Sequence, residues 1–147
     1  MRVVGVGYDG SGAAKEALAM AVQLALHNGA ALRVYTVAPK HVLPADQAQV
    51  RAATESETER LRALLHEAVA DLPAEVRAQP VFLRGEPAAE LIKASKAGVD
   101  LLVLGSRGGG PLRRMLHQSV TSTVMQRVTC PVLISPAGVA LPQPVDA

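Results

Sequence analysis

Aromatic residues are almost missing from this chain: among 147 residues there is no tryptophan, one phenylalanine and two tyrosines. The core must therefore be built from Ala, Val and Leu, which the 49% hydrophobic content supplies in quantity. The same scarcity removes the stacking platforms that single-stranded nucleic acid requires. A net charge of +2 adds no basic face for a duplex, so no nucleic-acid partner is expected. Cysteine is nearly absent too. Cys130 stands alone, which excludes an intrachain disulfide framework and a cysteine-rich metal site. His27, His41, His66 and His117 are scattered without ligand spacing, so no metal ligand is assigned. No apolar run reaches membrane-spanning length. The chain opens into a strand pattern rather than a basic stretch followed by a long apolar one. A cytoplasmic location with no membrane partner is the expectation. Neither G-x-x-x-x-G-K-[ST] nor G-x-S-x-G occurs. No acid–base constellation can be assembled, so no catalytic residue is assigned.

What is present is a strict alternation of element patterns. Arg2 to Tyr8 reads as a strand, with β-branched Val3, Val4 and Val6. Asp9-Gly10-Ser11-Gly12 is turn chemistry, and Ser11 suits a helix N-cap. Ala14, Ala17, Leu18, Ala21, Val22 and Ala25 recur at helical spacing up to a stop at Gly29. Ala31 to Val37 is a second strand. A long helix follows from about Asp46, which has capping-box spacing to Gln49. Its expected buried face is Val50, Ala53, Leu61, Leu64, Leu65, Ala68, Val69 and Leu72, and Pro73 ends it. Pro80 to Leu83 centres a short third strand. Pro87 suits the first position of the next helix, which Gly98 closes. Val99 to Leu104 is a solid apolar run, as in a strand covered on both faces. Val132 to Ser135, between Pro131 and Pro136, reads as a short edge strand.

This βαβαβαβαβ order predicts one α/β domain with a parallel sheet and helices on both faces. The domain is expected over 1–136. The Pro-, Ala- and Gly-rich stretch from Ala137 to Ala147 reads as a flexible tail.

Ligands of such sheets bind beyond the carboxyl ends of the strands, near the topological switch point. Two features sit there. After Leu104 comes Gly105-Ser106-Arg107-Gly108-Gly109-Gly110, with Arg113 and Arg114 close behind. Glycines let backbone approach a ligand, and a following helix N-terminus favours negative charge. The stretch is either a phosphate site or a basic surface loop. Asp9, at the end of the first strand, can accept from ribose hydroxyls or an adenine amino group, or it can simply shape the turn. Gly5-Val6-Gly7-Tyr8-Asp9-Gly10 matches G-x-G-x-x-G, but the strand before it is too short. Val37, Ala38 and Pro39 also stand where an acidic residue should end the second strand. Gly5 and Gly7 are better explained as thinning one face of the strand.

Taken in order, Val6-Gly7-Tyr8-Asp9-Gly10-Ser11, Gly85-Glu86-Pro87-Ala88, Asp100 to Gly108 and Thr129-Cys130-Pro131-Val132-Leu133-Ile134 resemble the universal stress protein family in its single-domain form. The resemblance implies a Rossmann-like, open parallel five-stranded sheet of order 3-2-1-4-5. It also implies an ATP or AMP site built on G-x-x-G-x9-G-[ST]. Gly105, Gly108 and Ser119 match that pattern, and Gln118 stands where it has its third glycine. By the same resemblance, Asp9 contacts ribose or the adenosine moiety, Val37 meets adenine through its backbone, and Val120 lies beside Ser119. Arg107 adds positive charge. Magnesium would accompany ATP, though no dedicated carboxylate pair is visible. Homodimerisation through the fifth strand is implied as well. The expected role is a nucleotide-binding regulator or sensor in the stress response, with at most slow ATP hydrolysis. The alternative is a nucleotide-independent dimeric interaction module.

Overall fold

Ser11 and Gly29 mark off the first helix as expected. The Ser11 hydroxyl accepts from the Ala14 N–H at 3.1 Å, and Gly29 closes the other end in the left-handed conformation, with φ 63°. The computed structural model describes residues 1–40, 47–106, 120 and 122–135. In chain order these form β1 (Val3–Gly7), α1 (Gly12–Asn28), β2 (Ala31–Ala38), α2 (Ala48–Ala70), β3 (Ala78–Arg84), α3 (Pro87–Ser95) and β4 (Leu101–Gly105). A fourth helix, α4, includes residues 120 and 122–127, and β5 (Val132–Ser135) follows it. All four strand pairs are parallel, in the order β3-β2-β1-β4-β5. This is the expected α/β open sheet.

Two apolar layers sandwich the sheet. On one face α1 and α2 bury Ala17, Ala21, Ala25 and Leu65 against Val4, Val6, Leu32, Val34 and Val103. On the other, α3 and α4 bury Leu91, Ile92 and Val124 against Tyr35, Leu102 and Leu104. The alanines let α1 lie close to the strands. Gly5 and Gly7 do the same from within β1. A Cβ at Gly5 would stand 2.9 Å from Tyr35 Cε2, and one at Gly7 would stand 2.9 Å from Leu104 Cδ2. Packing therefore accounts for both glycines.

The start of α2 departs from expectation. Val50 is 49% exposed and Ala53 is exposed, whereas Thr58, Leu61 and Leu65 are buried. Geometry gives the reason. The 23 residues of α2 span about 35 Å. The seven of β3 reach only about 23 Å. The first turns therefore overhang the sheet. The helix begins after Gln47, which makes no side-chain cap. Asp46, the expected cap, lies outside the described residues. At α3, Pro87 takes the first turn as expected, and the Glu86 carboxylate accepts from Ala88 N at 3.2 Å and Ala89 N at 2.8 Å.

At the amino edge, Asp100 ties β4 to the start of β1. Its Oδ2 accepts from Arg2 N at 2.7 Å and Val3 N at 2.9 Å, and its own N–H donates to the Val3 carbonyl. Those two backbone donors hold the Asp100 carboxyl below its ordinary value of 3.8. A depressed folded-state pKa gives stability that is present above the unfolded value and lost as pH falls through the folded one. Asp100→Asn should lower the urea midpoint at pH 7 and flatten its decline below pH 3.8. Parallel midpoint-against-pH curves for the two proteins would contradict this.

Candidate functional site

The chain leaves β1 for β2 on one side and leaves β4 for β5 on the other, while β1 and β4 pair directly. A crevice opens at the carboxyl ends of such a pair. Val6 is in register with Val103. Asp9, three residues past Val6, and Gly105, two past Val103, therefore share one rim.

Asp9 is half-buried, and its Oδ1 accepts from the Ser11 N–H at 2.9 Å. The turn-shaping role is thus observed. Gly10 between them has φ 81°, and a Cβ there would stand 2.7 Å from Leu64 Cδ2, so α2 presses on this turn. Ser11 passes the linkage on by capping α1. A carboxylate has two oxygens and about four acceptor sites, so one bond to Ser11 leaves capacity for a ligand. Tyr8 offers no base beside it. Burial first, and the neighbouring Asp9 charge second, push its phenol above the ordinary value.

Gly105 closes the rim from the β4 side. A Cβ there would lie 2.9 Å from the Ala13 carbonyl oxygen and 3.0 Å from Ala13 Cβ. The missing side chain thus admits the first turn of α1 to the end of β4. The next residue, Ser106, donates its N–H to the Ser135 carbonyl at 2.9 Å, joining the loop to β5. Val37 is half-buried near the end of β2, paired with Leu83, and packs on the α3 face. Val120 packs on the same face from α4. Arg107, Gly108, Gln118 and Ser119 lie outside the described residues, as do Arg113 and Arg114.

Two polar residues at this edge have roles that the sequence did not reveal. Glu86 has its carboxylate committed to the N-terminus of α3. Its signal was its position just before Pro87, a helix-starting residue. Thr36 is buried in β2, and its hydroxyl donates to the Tyr8 carbonyl at 2.8 Å. Nothing in the local pattern marks it. Among the described residues, no group of three or more His, Cys, Asp and Glu side chains could hold a metal ion. No described helix is long and apolar enough to cross a membrane.

The contact at Gly105 is testable by itself. Its neighbour is backbone, so Gly105→Ala must move the start of α1. Overpacking of this kind costs about 1–3 kcal/mol, read as a lower urea midpoint. An unchanged midpoint would show that α1 tolerates the added methyl group.

Comparison with known proteins fits this architecture. The model of the universal stress protein family matches residues 1–136. A universal stress protein of Thermus aquaticus is 32% identical over 131 residues, covering 86% of this chain and 93% of that one. A second, from Bacillus subtilis, is 47% identical over 60 residues, and this match spans only 40% of either chain. Among solved structures, the universal stress protein UspA of Lactobacillus plantarum superposes with a TM-score of 0.75 at 24% identity, covering 90% of this chain and 96% of that one. A universal stress protein in complex with cAMP superposes with a TM-score of 0.68 at 26% identity, covering 93% and 98%. With a family model matched across nearly its whole length and a relative aligned over most of both sequences, this chain belongs to the universal stress protein family.

Proposed function

We propose that this universal stress protein binds an adenine nucleotide, ATP or AMP, in the crevice between β1 and β4, and acts as a nucleotide-responsive regulator or sensor in the stress response. The observation that carries the reading is the shared rim of Asp9 and Gly105 at the switch point of the sheet. In this reading Asp9 accepts from the ribose or adenosine moiety through the capacity that Ser11 leaves. The Val37 backbone meets adenine. Gly105 and Gly108 give the phosphates close backbone approach, Ser119 adds a hydroxyl beside Val120, and Arg107 supplies positive charge. Magnesium arrives with ATP. The complex of a related protein with cAMP supports the choice of an adenine nucleotide.

Calorimetry with AMP and ATP tests it. Both should bind, and Asp9→Ala should weaken each about tenfold, the equivalent of about 1.4 kcal/mol. No heat and no thermal shift at millimolar nucleotide would sink the proposal and favour the nucleotide-independent module.

Position 118 is the point where this chain differs from the nucleotide-binding pattern. Glutamine brings a Cβ and a long side chain to a place where glycine allows close approach. Gln118→Gly should therefore tighten ATP about tenfold and leave adenosine nearly unchanged. Equal ATP affinity in the two proteins would mean that position 118 does not face the phosphates.

The second part of the proposal is a homodimer through β5. This strand lies at the edge of the sheet. The Pro131 and Ser135 carbonyls accept from β4, so by alternation Val132 and Ile134 aim their backbone groups outward. An unpaired edge invites pairing. Ile134→Pro removes one outward N–H and should give a monomer in light scattering. A monomeric wild-type protein at high concentration would contradict the contact.

A further inference from the structure

Thr36 is a buried polar side chain at this edge that the proposed site does not use. It is 1% exposed, and its hydroxyl donates to the Tyr8 carbonyl at 2.8 Å. Valine has nearly the same shape, favours strands equally and brings no polar atom to satisfy, so a hydroxyl buried here calls for a reason.

The reason lies in where β1 leaves the sheet. Its ladder with β2 ends at the pair Gly7 and Tyr35. One residue on, the Tyr8 N–H still donates to the Tyr35 carbonyl at 2.8 Å. The Tyr8 carbonyl is then taken by a side chain, that of Thr36. Both polar backbone groups of Tyr8 are thus held by β2. The Tyr8 carbonyl and the Asp9 N–H belong to one planar peptide unit. A hydrogen bond on that oxygen therefore fixes the plane from which the Asp9 side chain departs. Beyond Asp9, the Ser11 N–H holds Oδ1, and Leu64 closes over Gly10.

We infer that Thr36 is a positioning residue for Asp9: its hydroxyl locks the Tyr8–Asp9 peptide and so sets the direction in which the Asp9 carboxylate meets the nucleoside. The inference rests on the nucleotide reading above and adds to it a residue that touches no ligand. Threonine at 36 and aspartate at 9 then act as one unit. A merely structural threonine would affect stability and leave the contribution of Asp9 to binding intact.

A double-mutant cycle separates these roles. AMP affinity is measured by calorimetry for wild type, Asp9→Ala, Thr36→Val and the double variant, with folding checked by circular dichroism. Thr36→Val should weaken AMP about fivefold or more, and Asp9→Ala made in that background should cost less than about twofold, against about tenfold in wild type. Thr36→Ser, which keeps the hydroxyl, should stay within about twofold of wild type. Full additivity of the two substitutions would overturn the inference. Should Thr36→Val not fold, Thr36→Ala takes its place in the same cycle, and a folded Thr36→Ser that loses AMP overturns the inference. If Asp9→Ala leaves AMP affinity unchanged in the wild-type background, the nucleotide reading itself fails and takes the inference with it. If Asp9→Ala weakens AMP yet adds in full to Thr36→Val, only the inference fails.

Discussion

The carboxyl edge of this sheet depends on how closely the first turn of α1 approaches the end of β4. The Ala13 carbonyl oxygen lies 2.9 Å from where a Cβ on residue 105 would be, closer than side chains ordinarily approach. Only glycine permits that approach, and everything at the rim is referenced to it. The Asp9 carboxylate, the Gly10 turn and the Ser11 cap directly precede Ala13 along the chain, with Asp9 accepting from Ser11 N–H and Ser11 in turn accepting from Ala14 N–H. This closeness follows from composition. With hardly any aromatic residue, the layers are spaced by alanine, valine and glycine, so backbones meet where other folds would place side chains. The interior of β1, with glycine at 5 and 7 under Tyr35 and Leu104, follows the same rule.

A consequence is that Asp9 can brace the turn and still take part in the site we propose. One carboxylate oxygen braces the turn, and the carboxylate keeps further acceptor capacity. The two roles weighed in the sequence are therefore compatible. A bound ligand that uses Asp9 acts on a group already oriented by Ser11 and, through the peptide at Tyr8, by Thr36. Such orientation reduces the ordering that binding must otherwise supply. It suits a site that holds a ligand. Of the other groups near the rim, the Glu86 carboxylate is engaged by α3, and burial pushes the Tyr8 phenol above its ordinary value.

Much of this was legible in the residues because local chemistry decided it. Ser11 and Gly29 bound α1, Pro87 begins α3, the unbroken apolar run at 101–104 is a central strand, and Val132 to Ser135 is an edge. The strand order was not readable from alternation alone; it came with the family resemblance. What stayed hidden was set by tertiary distance. The periodicity of α2 continues past the sheet it covers, so Val50 and Ala53 look buried in sequence and are exposed in the fold. Thr36 reads as an ordinary β-branched strand residue because its partner, Tyr8, is 28 positions away. Asp100 gives no hint that it reaches back 98 positions to the start of the chain. Of the expected nucleotide contacts, Asp9, Val37, Gly105 and Val120 can be placed in the structure, and Arg107, Gly108, Gln118 and Ser119 lie outside the described residues.

The position of β4 explains why one strand end can serve both the site and the edge. Leu102 and Val103 are fully buried between the two helical layers. At its carboxyl end Gly105 meets α1, and Ser106 is tied to Ser135 at the end of β5. The loop that starts there is anchored to α1 on one side and to the edge strand on the other. A buried strand whose end packs closely on a helix is a sound scaffold for a site such as the one we propose. The same tie places the outward-facing backbone of Ile134 one residue from the anchor. The start of the loop that we propose for the nucleotide and the edge that we propose as the dimer contact are therefore neighbours.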